Sequence, residues 1–456
     1  MSSRHSHPST AWLDRSAASG PLIQVLHGHG NLIDDFGDRK LVKRTHILLL
    51  LLVVAAFMAH LSYSLFKGID REPGTASADA SFYSHYAWNL AQGKGLSGPE
   101  PGREGDVLSA LVPPGLPAFY AAIYVVFGKN YAVVRLAQCL LSAVTVILLF
   151  ALAKSILQER AAWVAAVAFA FYPIAIYYSD EMLSETLYTF FLILSFWLCI
   201  VWFAPRPTVM KALVCGASLG VTALIRPVIL PFLPLVVLWG LFVLQGIRAK
   251  SLVLAITAGA SLVILAWSYR NYRLFHTFVL VAPRTWTEIL GGNNPVVATD
   301  PKYAGYCIWY TQVPGWEHKF DGVPQIQREA VAKQLALQWL SENKDKWWYL
   351  LRSKFVRFWS PFLHQENRLN RLVMLASWGS VLPFFIPAVF VTLVKFWRER
   401  NPAILIHLLI FSTMLNALIF YGLPRYRYPM EPFCIILASA SVIWLWDRFR
   451  RQPAPA

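Results

Sequence analysis

The chain has 456 residues, of which 56% are hydrophobic and only 14% charged, far more apolar side chain than a soluble core needs. This excludes a soluble or disordered protein and predicts an all-α polytopic membrane protein. The formal net charge of +16 fits attraction to anionic lipid at the inner leaflet and calls for no nucleic acid partner.

Residues 1–44 read as a cytoplasmic tail, in which His27 and His29 are expected to be a solvated pair rather than a metal site. The first span, 45–66, follows Lys40, Lys43 and Arg44, which predicts an uncleaved signal anchor with its N-terminus in the cytoplasm. An outer loop covers 67–131. Within it, the uncharged run from Val107 to Gly128 is interrupted by Pro113, Pro114, Gly115 and Pro117, so it is expected to lie at the outer surface rather than to cross. A transmembrane bundle is expected over 132–270, from charge-free runs at 136–153, 161–179, 186–205, 227–247 and 251–269 and a shorter one at 212–225. Each long run can cross about 30 Å of hydrocarbon.

An outer segment spans 271–371, with a turn-rich part, "GGNNPVVATDPKYAGY", followed by two helices. The second carries Trp347, Trp348, Leu351, Phe355, Phe358 and Trp359 near helical spacing, with basic residues between them. Such a helix lies in the headgroup layer or packs on the bundle. Three last helices fill 372–447, and a tail of 448–456 completes about ten transmembrane helices. Five basic clusters, at Lys154/Arg160, Arg206/Lys211, Arg248/Lys250, Lys395/Arg400 and Arg448/Arg451, then fall on one side, which puts both termini in the cytoplasm. The five cysteines are scattered, and Cys and His are absent at metal-ligand spacing, so neither a disulfide framework nor a metal site is expected.

Acids and bases instead gather at the outer helix ends. Ionisable groups at membrane depth cost roughly 2.5 to 3.5 kcal/mol each on insertion scales, so those present are functional candidates. Arg226 is separated from Lys211 by 14 residues, about 21 Å of helix, and precedes a helix-ending proline. It is expected below the outer headgroup plane, beside a lipid phosphate, or else snorkelling or paired in the core. Arg425 and Arg427 alternate with Tyr426 and Tyr428 in "YGLPRYRYPMEP", a pattern suited to phosphate and sugar or to an interfacial aromatic belt. Glu185 lies inside its span, whereas Asp180 and Glu181 read as solvated charges at the water boundary. Asp79, taken alone, reads as a solvated loop acid.

In chain order, "DASFYSHYAWNLAQGKGLS", "PPGLPAFYAAIYVVFG", "YYSDEMLSETLYTFFLIL", "GVTALIRP", "RNYRLFHTFV", "GGNNPVVAT" and "RYRYPMEP" resemble the membrane-embedded GT-C glycosyltransferases that use polyprenyl-phosphate sugars. The likeness is to the protein mannosyltransferase and lipid A aminoarabinose transferase branch, and it covers 45–447. It implies that Asp79 is the general base, with Tyr83 four residues on. It further implies that Glu185 is the intramembrane acid near the site, and that Arg226, Arg425 and Arg427 meet the donor phosphate. Asn293 and Tyr426 are further site candidates. Two departures bear on substrate: Val112 stands where the aminoarabinose branch often has a lysine, and the chain ends after its tenth expected helix, without that branch's extra spans and soluble domain. Sugar and acceptor are therefore not carried over.

The sequence thus predicts an inverting glycosyltransferase in a bacterial plasma membrane. It would move a sugar from a polyprenyl-phosphate donor to a hydroxyl of a lipid, glycan or protein at the outer face, with no cofactor required by the reading and any divalent metal left open. The alternative is a transporter or flippase for a lipid-linked or anionic substrate, which calls for inverted repeats and midplane charges; neither is evident.

Overall fold

The computed structural model describes residues 39–74, 77–99, 104–362 and 368–450. Most of the N-terminal tail, including His27 and His29, and the last six residues lie outside the described residues. Among the described residues six helices are long and apolar enough to cross a membrane: Lys43–Phe66, Tyr131–Ile156, Glu185–Phe203, Ala249–Phe275, Arg368–Arg398 and Pro424–Arg450. A seventh candidate is broken: Glu159–Ala170 and Pro173–Asp180 meet at 46°, because Pro173 starts a new helix and supplies no N–H to continue the old one. Four shorter apolar helices, Gly115–Phe127, Val209–Ile225, Pro227–Val243 and Ile404–Ile419, fall short of full spanning length, so against the ten transmembrane helices expected from the sequence the described residues hold six full-length candidates, or seven with the bent pair.

Local chemistry sets the helix starts. The Asn130 side chain accepts from Val133 N at 3.2 Å and the Thr208 hydroxyl from Lys211 N at 3.3 Å, capping the helices Tyr131–Ile156 and Val209–Ile225. Small residues set one tight crossing. A Cβ on Gly216 would lie 1.9 Å from Ile256 O, and one on Gly259 2.2 Å from Leu213 O, so two backbones meet where only hydrogen fits. Gly216→Val is expected to destabilise the protein by about 1 to 3 kcal/mol through overpacking, read as a lower Tm of the detergent-purified chain. An unchanged Tm would mean the helices separate freely there.

Two ends of the bundle can be told apart. Thr45 donates to Glu159 at 3.3 Å, Lys154 pairs with the same carboxylate at 3.0 Å, and Arg160 stands 3.7 Å from Asp447. The start of the first helix, the 154–160 connection and the end of the last helix therefore share one end. The other end carries the helix Ala78–Ala91, the helix Gly115–Phe127 and the 271–371 segment with its helices Arg328–Glu342 and Trp347–Trp359, joined at the 418–425 turn through the pairs Asp79 with Arg425 and Lys354 with Ile419 O. Between the first two of these lies a two-stranded antiparallel ribbon, Ser97–Pro99 with Asp106–Leu108, a departure from the all-helical expectation. Its strands are too short for a period-two pattern to show in the sequence.

Asp180 and Glu181 are not solvated boundary charges. Asp180 is fully buried and Glu181 is 5% exposed. Arg71 donates to both Asp180 oxygens, and Ser64 donates to one of them. Arg135 donates to Asp180 O at 3.1 Å and to the carbonyls of Ile69 and Arg71 at 2.8 and 2.7 Å. The bent helix carries the two acids inward, and two arginines supply the charge that lets them stay there.

Candidate functional site

Asp79 stands in the first turn of the helix Ala78–Ala91, where backbone N–H groups favour a negative charge. Its side chain is 44% exposed, and its Oδ2 accepts a hydrogen bond from Arg425 Nη1 at 2.8 Å. Through Nε, Arg425 also donates to Glu185 Oε1. Arg226 Nη1 lies 2.9 Å from that same oxygen. The approach lacks hydrogen-bond geometry and leaves Arg226 Nη1 without a hydrogen-bond partner; the other carboxylate oxygen, Glu185 Oε2, has none either. Glu185 is inaccessible to solvent, and two guanidinium groups offset what its burial as an anion costs. The sequence separations, 240 residues from Glu185 to Arg425 and 346 from Asp79 to Arg425, show that only the assembled bundle makes this group.

Pro227 explains where Arg226 points. A residue before proline is pushed out of the α region, and Arg226 is extended, with φ −143° and ψ 116°. Its helix ends there and the side chain turns into the bundle, 9% exposed. The guanidinium lies 4.9 Å from the Tyr426 ring centre and 5.7 Å from that of Tyr188, within cation–π reach. Of the two alternatives to phosphate binding, the inward direction does not fit snorkelling, and the ion pair with Glu185 fits core pairing.

A cleft of about 1310 Å³, counting its open mouth, lies against Arg226. Its lining divides by chain segment: 225–231 and 413–420 supply chiefly apolar surface, including Val228, Leu230, Ala417 and Phe420, while Arg284, Glu288, Tyr421 and Tyr426 supply polar groups. Tyr83, one turn beyond Asp79, lines it as well. Asp79, Glu185 and Arg425 stand off the lining and join it through Arg226 and Tyr426. Among the described residues no three His, Cys, Asp or Glu side chains gather as a metal site.

Arg284, Glu288 and Tyr421 were not foreseen. Arg284 Nη2 pairs with Glu288 Oε1 at 2.8 Å, and the Tyr421 hydroxyl donates to Glu288 Oε2 at 2.5 Å. The carboxylate holds the Arg284 guanidinium above its ordinary pKa. Glu329 accepts from the backbone N–H groups of Trp286 and Thr287 at 2.9 and 3.1 Å, anchoring the helix Thr285–Gly292 at its start. Gly292 sets its other end, since a Cβ there would lie 1.7 Å from Phe420 O. The available sequence signal was an Arg and a Glu at i, i+4 in "RTWTE", a spacing that also suits any exposed helix.

Two expected site residues are elsewhere. Arg427 is fully buried; it pairs with Glu431 at 2.7 Å, donates to Phe358 O and lies 4.4 Å from the Trp378 ring centre. Successive residues of a helical turn point in different directions, so Arg425 and Arg427 cannot share a target. Arg427→Ala is expected to lower stability by about 3 to 5 kcal/mol by stranding Glu431, seen as a reduced Tm, whereas a folded variant defective only in donor binding would return Arg427 to the cleft. Asn293 caps the helix Thr285–Gly292, donating to Ile289 O at 2.7 Å and Ile419 O at 3.1 Å and accepting from Lys354 Nζ at 2.7 Å. Burial pushes the Lys354 amine down to about 7. Both groups hold the 271–371 segment to the turn that follows the helix Ile404–Ile419.

Residues 112–269 match the family described as dolichyl-phosphate-mannose-protein mannosyltransferase, a stretch shorter than half of the chain. No curated protein matches by sequence. Among solved structures, the archaeal oligosaccharyltransferase AglB from Archaeoglobus fulgidus in complex with an inhibitory peptide and a dolichol-phosphate is similar at 15% identity and a TM-score of 0.53, over 89% of this chain and 51% of that one. The oligosaccharyltransferase of that organism tethered to an acceptor peptide gives 14% identity and a TM-score of 0.54, over 88% and 50%. ArnT from Cupriavidus metallidurans bound to undecaprenyl phosphate covers 88% and 78% at 13% identity, with a TM-score of 0.42, too distant to argue from. The chain spans about half the length of the archaeal structures it matches, and the likeness is one of fold.

Proposed function

We propose that this chain, whose fold is that of the GT-C glycosyltransferases, transfers a sugar from a polyprenyl-phosphate donor to an acceptor hydroxyl at the outer face of a plasma membrane. The observation that carries the reading is the relay of Asp79, Arg425, Glu185 and Arg226 at the edge of a cleft with apolar and polar lining. The donor's hydrocarbon lies along the 225–231 and 413–420 surfaces and its phosphate meets Arg226. The acceptor oxygen attacks the anomeric carbon as the bond to the phosphate oxygen breaks, which inverts that carbon. Asp79 takes the hydroxyl proton, worth about 10²- to 10⁴-fold. The lipid phosphate leaves with one more negative charge, and Arg226 and Arg425 stabilise it where that charge develops. No residue of this scheme requires a nucleotide. The acceptor is a lipid, glycan or protein that reaches Asp79 from the aqueous side.

Two measurements test this. Purified protein incubated with a panel of lipid-phosphate sugars and candidate acceptors is expected to release lipid phosphate, detected by mass spectrometry; movement of the intact donor between leaflets without release would instead support a flippase. Single cysteines at Thr299, which is exposed, and at Gln452 are expected to label from opposite sides of the membrane, with 452 cytoplasmic. Labelling of both from one side would overturn the outward-facing site.

A further inference from the structure

Five side chains that line the cleft form a continuous chain. The Arg226 guanidinium lies against the Tyr426 ring at 4.9 Å, and the Tyr426 and Tyr421 hydroxyls are 2.8 Å apart. Tyr421 reaches Glu288 at 2.5 Å, and Glu288 reaches Arg284 at 2.8 Å. At one end of the chain is a 9%-exposed cation whose Nη1 has no hydrogen-bond partner. At the other is an ion pair whose charges cancel.

A lipid-phosphate sugar has three parts, and two are already placed by chemistry in the reading above, on which this inference rests. Hydrocarbon needs apolar wall, and the phosphate needs a cation on the lining, which Arg226 supplies. The sugar hangs from the same phosphate, so it must lie within reach of Arg226 on the side that offers hydrogen bonds. We infer that Glu288, Arg284 and Tyr421 form the sugar-binding end of the cleft and select an uncharged, hydroxyl-rich sugar. Glu288 has acceptor capacity beyond the two bonds it makes and takes hydroxyl protons; Arg284 retains N–H donors for ring and hydroxyl oxygens. The tyrosine rings give flat apolar surface for the C–H face of a pyranose. Because Arg284 neutralises Glu288, the pair offers no surplus charge to an amino sugar or a uronic acid. A site built to hydrogen-bond a hydroxyl also discriminates against ligands lacking it, since its polar groups would be left unpaired.

Binding of three lipids to the detergent-purified full chain tests this: bare polyprenyl phosphate, the same lipid carrying a hexose, and the same lipid carrying an aminohexose. The wild type is expected to bind the hexosyl lipid at least about tenfold more tightly than the bare one, and more tightly than the aminohexosyl lipid. Glu288→Gln is expected to erase most of that preference while leaving bare-lipid affinity within about twofold, a difference too small to reflect a lost charged hydrogen bond. Tyr421→Phe, which keeps the ring, is expected to lose part of it. Equal wild-type affinity for bare and hexosyl lipid would overturn the inference and leave the transferase reading standing, as would a preference for the aminohexosyl lipid or equal losses on all three lipids in both variants. Failure of the wild type to bind any of the three would overturn the donor reading itself.

Discussion

Asp79→Asn is expected to lower the single-turnover rate of glycosyl transfer at saturating donor by at least about 10²-fold. Asparagine keeps the size and one acceptor oxygen but cannot take a proton at neutral pH. Donor binding is expected to hold or tighten, because Arg425 is relieved of a carboxylate that competes with the phosphate for its Nη1. Asp70 and Glu72, exposed acids of the same loop, are the controls, and neutralising either is expected to have little effect. Equal losses at all three would mean that net loop charge matters and no single base acts there. Near-normal turnover in Asp79→Asn would move the proton to another carboxylate, with Glu288 on the cleft wall next in order.

Arg226→Ala is expected to weaken donor binding roughly 10- to 150-fold, the loss of a charged hydrogen bond worth about 1.5 to 3 kcal/mol. Its Tm is expected to change little, because Glu185 keeps its bond from Arg425. This contrasts with Arg427→Ala, where the damage is expected in stability. A variant that unfolds, or one that binds donor as well as the wild type, would make Arg226 a structural ion of the bundle.

Much of this arrangement is legible in the sequence because hydrocarbon imposes simple rules. Length and charge-free runs mark where helices cross, and Pro227 marks where Arg226 leaves its helix. The convergence of Asp79, Glu185, Arg226 and Arg425 at one end of the bundle follows from alternating the spans. What was not legible depends on direction around a helix axis. Arg425 and Arg427 are equivalent as a composition, yet one reaches Glu185 and Asp79 and the other Glu431. Asp180 looks solvated until the bend at Pro173 turns it toward Arg71 and Arg135. Arg284 and Glu288 sit on a helix of ordinary composition, and only the close approach of Gly292 to Phe420 brings them to Tyr421.

The pairing of Asp79 with Arg425 across 346 residues also sets a timetable for the newborn protein. At about 5 to 20 residues per second, the ribosome needs roughly 20 to 70 s after making Asp79 before Arg425 exists. From the synthesis of Arg226, 41 positions downstream of Glu185, until that of Arg425, Glu185 has Arg226 as its one site counter-ion. The nascent chain therefore holds an incomplete form of the proposed site until its final apolar helix is inserted. Premature termination after the 249–275 helix but before Arg425 would leave Asp79 without its partner and the proposed site incomplete.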